Sequence, residues 1–307
     1  MIPRKAVPPP IPGGWRDWLR DAPLGLVNGA VHGALRLLPI DSVTAVGSWL
    51  GRRLVPRLQA MRLARAGEHI RALRPDLADT PDAQAAALRR MAGSLGALHA
   101  EFAMLERLGP AGRVEVEGVE ALQAARAAGR PILIAGLHVT NWEVMPAALA
   151  RLGLPCAMIY APPRNRFTHR LAIRVRSRLG TRCIPPDRLA AREALRVLRA
   201  GEECMLIFVD EFSGGRVQAP RLGRAATQTG NIGLVCRLAA TTGALVFPGH
   251  VERLPAGRFR VVLAPPSEFS SGAPLAAQVA ALEARLAPTI LRFLPDWYFL
   301  LLLRRDR

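Results

Sequence analysis

From about residue 22 to residue 107, apolar residues recur at three- and four-residue intervals, the spacing that gives a helix one buried stripe. "TPD" at 80 to 82 is a good helix start, and "DAQAAALRRMAGSLGALHAEFAMLERL" continues it. The pattern changes at "RVEVEG" (113 to 118), the first alternation with a period of two. Beyond it, short apolar runs and amphipathic helices take turns. "PILIAGL" (131 to 137), "PCAMIY" (155 to 160), "TRCIP" and "CMLIFV" (204 to 209) read as buried strands. "ALVFPGHVER" and "FRVVLAPP" read as a strand pair, "LAAQVAALEARLAPTILRFL" as a long helix, and "WYFLLLL" as a last strand. This alternation predicts an α/β fold with a central mixed, largely parallel sheet flanked by helices and an N-terminal helical, membrane-associating extension. The expected organisation is a Pro-rich flexible stretch at 1–21, a helical region at 22–107 and an α/β core at 108–307, together forming one structural domain.

Charge adds a partner to this picture. The formal net charge is +18, and Lys5 is the only lysine among 42 basic residues. So arginine-rich a surface attracts anionic lipid headgroups, nucleic acid or acidic proteins. Two tyrosines and nine phenylalanines, none in a stacking motif, argue against nucleic acid. The segment 22 to 58 is apolar, broken by Arg36, Pro39 and Asp41, and ends with Arg52, Arg53 and Arg57. That suits either short helices lying in a membrane interface or a helical pair packed on the core. No run reaches the length of a membrane span and no signal peptide is visible, so the expectation is a chain that neither crosses a membrane nor is exported. The four cysteines lie more than twenty residues apart, without zinc-ligand spacing, and read as buried thiols in a reducing compartment.

The candidate chemistry sits in "GLHVTNWEVMP" (136 to 146), directly after a buried strand. Ligands and catalytic groups of such sheets gather beyond the carboxyl ends of the strands. If a helix begins near Asn141, Glu143 lies in its first turn and is able to turn back and hold one nitrogen of His138, leaving the other to accept a proton. The alternative is a capped helix start beside a satisfied histidine. Asp210 and Glu211 follow "CMLIFV" and reach the same sheet edge, where they are placed to assist the base, bind an acceptor or form a solvated turn. No nucleophile elbow, P-loop or zinc-peptidase motif is present, so a base here would act on a nucleophile brought by a substrate.

"GLHVTNWE" resembles the first block of the late acyltransferases of lipid A biosynthesis, the lauroyl/myristoyl transferase family within the wider glycerolipid acyltransferase superfamily, whose usual form is G-x-H-x-G-N-W-E. The likeness continues through "YAPPRN", "RLG", "ALRVLRAGEECMLIFVDE", "VQAPRLGRAATQTGNIGLVCRLAATTGALVFPG" and "LEARLAPTILRFLPDWYF", over roughly residues 22 to 304. The resemblance implies a membrane-associated O-acyltransferase on the cytoplasmic face of the inner membrane. It would move a fatty acyl chain from acyl carrier protein or acyl-CoA to a hydroxyl of a glycolipid, with no cofactor or metal. His138 would be the base and Glu143 its orienter, with Asn141, Arg164, Asp210, Glu211 and Arg224 on the substrates. The chain departs from the family pattern at Ala161, where an arginine is usual, in "APRLG", at Glu211, at Thr140 in place of glycine, and at the closing Arg304 and Arg305. These departures leave open another acceptor or a lipid-binding relative without chemistry.

Overall fold

A computed structural model describes residues 14–224 and 228–304 of the chain. Most of the Pro-rich head and Arg305 lie outside the described residues. The flexible stretch expected up to residue 21 is cut short, because α1 (Trp15–Leu37) already begins at Trp15. It is followed by α2 (Ile40–Leu58), α3 (Ala60–Leu73), α4 (Pro81–Glu101) and the single turn α5 (Leu105–Leu108). The start of α4 is as its sequence predicts. Thr80 Oγ1 accepts from the Ala83 amide at 3.1 Å, and Pro81 occupies the first turn, where no amide is needed.

The core then runs β1 (Val114–Glu117), α6 (Val119–Ala127), β2 (Ile132–Gly136), α7 (Val144–Arg151), β3 (Cys156–Ile159), α8 (Arg166–Arg178), β4 (Thr181–Ile184), α9 (Ala190–Ala200) and β5 (Cys204–Phe208). A small hairpin, β6 (Phe212–Ser213) and β7 (Arg216–Val217), precedes α10 (Gly230–Thr242), β8 (Leu245–Leu254), β9 (Arg258–Leu263) and α11 (Leu275–Arg292). Seven strands form one sheet in the order β1-β9-β8-β2-β5-β3-β4, parallel throughout except at β8/β9. The expected fold class is therefore the observed one. β2 and β5 are buried on both faces, which explains their unbroken apolar runs. Alternate residues feed two cores. Leu133, Ala135, Met205 and Ile207 pack toward α9, α10 and α11, while Ile132, Ile134, Leu206 and Phe208 pack toward α7 and α8.

"WYFLLLL" is not a strand. Residues Leu294–Asp296 and Tyr298–Leu301 form two short 3₁₀ turns, with an isolated bridge between Val139 and Trp297. Leu294, Leu300, Leu301 and Leu303 are buried, and a continuous apolar run fits a buried helical turn as well as a strand.

Among the described residues no helix is long and apolar enough to cross a membrane. The N-terminal helices nevertheless leave large apolar side chains in the open, including Trp15, Leu26, Leu37, Trp49, Leu58 and Met61. Arg53 covers the Trp49 ring, with its guanidinium carbon 5.1 Å from the ring centre. α2 packs on α4 through glycines. A Cβ at Gly51 would lie 2.1 Å from the Ala92 carbonyl oxygen, and one at Gly96 2.2 Å from that of Gly47. Replacing a glycine inside a helix by alanine ordinarily gains about 1 kcal/mol. Here the sign should reverse: Gly51→Ala and Gly96→Ala are expected to lower the urea midpoint, and a rise in either would contradict this backbone-to-backbone packing.

Candidate active site

Neighbouring parallel strands β2 and β5 are in a register that sets Gly136 beside Phe208. Two residues beyond each lie His138 and Asp210, so the sheet itself delivers them face to face. Asp210 is fully buried and accepts three hydrogen bonds: from His138 Nδ1 at 2.7 Å, from the His138 amide at 2.8 Å and from Trp297 Nε1 at 2.8 Å. A carboxylate only accepts, so Nδ1 carries the proton and Nε2 is the basic nitrogen. The imidazole is packed among aromatic rings: Phe208, Trp142 and Phe299 have centroids at 4.4, 4.7 and 4.9 Å.

His138 opens on a cavity of about 630 Å³. Its apolar lining includes Trp142, Met158, Ile159, Phe208, Leu234 and Phe299, and Glu211, Asp187 and the exposed arginines Arg188 and Arg237 add charge. Such a cavity suits a substrate with a hydrocarbon part and an anionic part. Among the described residues no group of histidines, cysteines and acids is arranged to hold a metal.

Glu143 is not the partner of His138. Its carboxylate is bound by Arg176 of α8, with Nε at 2.9 Å and Nη2 at 2.5 Å, both side chains being nearly buried. The register of β2 and β5 sets Asp210 at the imidazole, while Arg176 takes the carboxylate of Glu143. Burial works against the Arg176 charge, but the attraction and hydrogen bonds of Glu143 outweigh it and raise the guanidinium pKa above its ordinary value. The same guanidinium lies over the Tyr160 ring at 4.3 Å. Burial pushes the Tyr160 hydroxyl up to about 12, so it stays neutral.

The remaining expected residues divide. Asn141 is fully buried and does not face the cavity; its amide oxygen accepts from the Glu143 amide at 3.2 Å, and its nitrogen donates to Glu101. Helix α7 accordingly begins at Val144, later than a cap at Asn141 would start it. Arg164 is exposed and away from the cavity lining. Arg224 turns inward and donates to the carbonyls of Val217, Pro220 and Arg221, which holds its own loop together. Glu211 does line the cavity, accepting from the Asn231 amide at 2.6 Å. Ala161 lines it too, whereas Arg221 of "APRLG" is bound to Glu283 at 2.6 Å.

Two contributors escaped the sequence reading. Arg176 sits with His169, Ala172 and Ile173 on the buried stripe of α8, and an arginine at such a position signals an acidic partner. Trp297 was hidden by reading its segment as a strand. That segment holds the histidine loop by its backbone, Tyr298 N donating to His138 O at 3.0 Å and Thr140 N to Asp296 O at 3.1 Å.

A mostly parallel sheet flanked by helices thus carries a histidine–aspartate pair at the ends of β2 and β5, beside a cavity with an apolar wall and charged groups. The sequence profile of the bacterial lipid A biosynthesis acyltransferases matches residues 19–305, and the chain belongs to that family. No curated protein matches it.

Glu143→Ala would strand a buried guanidinium and is expected to destabilise the fold by about 3–5 kcal/mol. The pair Glu143→Leu with Arg176→Met should recover most of that loss in urea unfolding, which an electrostatic penalty demands and a packing defect would not allow. Burial raises the Glu211 pKa above its ordinary value, against the hydrogen bond from Asn231. The folded state thus holds this proton more tightly than the unfolded one, so stability falls as pH rises from the ordinary carboxyl range through the raised value. Glu211→Gln should therefore raise the melting temperature at pH 7.5 and leave it unchanged at pH 4; equal effects at both would show that ionisation is not the cause.

Proposed function

We propose that this protein is a membrane-associated O-acyltransferase. It takes a fatty acyl chain from the thioester of an acyl carrier protein or coenzyme A and gives it to a hydroxyl of a phosphoglycolipid such as a lipid A precursor. The observation that carries this reading is the basic Nε2 of His138, fixed by Asp210 and facing a cavity with an apolar wall and arginines among its lining. His138 removes the proton from the acceptor hydroxyl as its oxygen attacks the thioester carbonyl. The carbon–sulfur bond then breaks, and the proton passes from the imidazolium to the departing thiolate. Asp210 stabilises the transient imidazolium, and the rings around His138 keep water away from the reacting atoms. Arg188 and Arg237 suit a phosphate, carried by the donor's pantetheine arm or by the acceptor.

The exposed Trp and Leu side chains of α1 and α2, with arginines between them, support peripheral docking on an anionic bilayer, where the acceptor resides. The inner membrane's cytoplasmic face offers both the acidic carrier and that lipid. Ala161 lines the cavity without the cation usual at this block, which favours an acceptor headgroup other than the standard precursor as the second reading.

The test is acyl transfer from a labelled acyl carrier protein to a polar-lipid extract, followed by mass spectrometry. His138→Ala and Asp210→Asn are each expected to lower the rate by about 10²–10⁴-fold without unfolding the protein. A product gaining one acyl chain identifies the acceptor; full activity in either variant would sink this assignment of the base and its orienter.

A further inference from the structure

The loop that carries His138 is held from below by a group outside both sheet and cavity. Glu101, the last residue of α4, is fully buried, and its two carboxylate oxygens accept four hydrogen bonds. Arg253 on β8 supplies two of them, Nε at 2.7 Å and Nη2 at 2.9 Å, and its third nitrogen donates to Ser94 at 3.0 Å. Thr44 of α2 donates at 3.0 Å, and Asn141 Nδ2 at 3.1 Å. One carboxylate thus ties α2, α4 and β8 to the turn between His138 and Glu143.

That turn needs an anchor. Thr140 adopts φ 51°, a left-handed conformation that is strained for a threonine. A glycine at this position would carry no such strain. Thr140 is held there through its backbone amide and through its hydroxyl, which donates to the Val251 carbonyl. Just beyond it, Asn141 accepts from the Glu143 amide and so sets where Trp142 meets the His138 ring and where Glu143 meets Arg176. Without Glu101 the asparagine nitrogen would be a buried donor with no acceptor, and the turn would have a reason to rearrange.

We propose that Glu101 is a positioning residue for the His138 site, acting through Asn141. This rests on the acyl-transfer reading above for its kinetic consequence, but not for its geometry. Asn141→Asp keeps the acceptor for the Glu143 amide and sets a second carboxylate against Glu101, turning the contact in question into a repulsion. Glu101→Gln on its own removes the charge that Arg253 faces. Together the two changes exchange amide and carboxylate and rebuild the same hydrogen bond in reverse.

The experiment compares wild type, Asn141→Asp, Glu101→Gln, the double variant and Thr44→Val, with folding checked by thermal melting. Asn141→Asp is expected to lower kcat about 10- to 100-fold with KM nearly unchanged, the signature of misplaced groups and not of lost binding. The double variant should regain most of that loss. Thr44→Val, which deletes a donor to the same carboxylate from the far side, should keep wild-type kcat. Where Asn141→Asp alone does not fold, the double variant is compared with Glu101→Gln, and recovery by the double supports the coupling.

A double variant no better than its weaker parent would overturn the proposal. So would a Thr44→Val loss as large as that of Asn141→Asp, which would make the carboxylate a general packing element. The same proteins are titrated by nuclear magnetic resonance at the His138 imidazole, assigned with His138→Ala. If wild type transfers no acyl chain, the functional reading fails on its own. A displacement of the His138 ring resonances at the plateaus of the titration, which the rings of Trp142 and Phe208 set, supports positioning if it reverses in the double variant, and superimposable plateaus refute it.

Discussion

Everything at the site depends on hydrogen bonds to one buried carboxylate. An ionised aspartate with no exposure is tolerated only if its oxygens are satisfied, and Asp210 draws its donors from two separate segments. The histidine loop contributes the His138 amide and imidazole, and the C-terminal turns contribute the Trp297 indole. The demand of a single charge therefore organises the end of β5, the end of β2 and the segment around Trp297. The orientation of the imidazole follows from it, since the carboxylate fixes which nitrogen bears the proton.

The same economy runs through the molecule. Acidic residues are few beside arginines, and many of them are spent indoors: Glu101 with Arg253, Glu143 with Arg176, Asp21 with Arg166, and Glu283 with Arg221. Asp21 and Arg166, 2.7 Å apart and both buried, fasten α1 to α8. The acids neutralise arginines inside, and the remaining arginines give the surface its positive charge. Basicity and the internal pairing thus have one origin in composition, and they serve different ends: the pairs fix helices to the core, while the surplus attracts anionic partners.

Of the candidate site, His138 was legible because it ends an apolar run, and strand ends in such sheets are where ligands gather. Asp210 was legible as a residue at the same edge, with its role open. Its assignment to His138 was not, because sequence spacing made Glu143, five residues away, look like the natural partner. Seventy-two residues separate His138 from Asp210, and only the β2/β5 register brings them together. The family resemblance puts Asn141, Arg164 and Arg224 on the substrates. The structure gives Asn141 and Arg224 internal hydrogen bonds and leaves Arg164 on the surface away from the cavity, since a loop arginine's direction depends on neighbours that local sequence does not name.

The sequence by itself determined the alternation of elements, the helical N-terminal region, the α/β class, the place of the histidine and the basic surface. Each follows from local periodicity or composition, to which distant contacts add little. Tertiary structure alone decided which acid holds the imidazole, which acid is locked to Arg176, and that the last apolar run turns instead of extending. Those outcomes are competitions among donors and acceptors far apart in the chain. Strand register and burial settle them, because an unpaired charge inside costs more than any local preference can return.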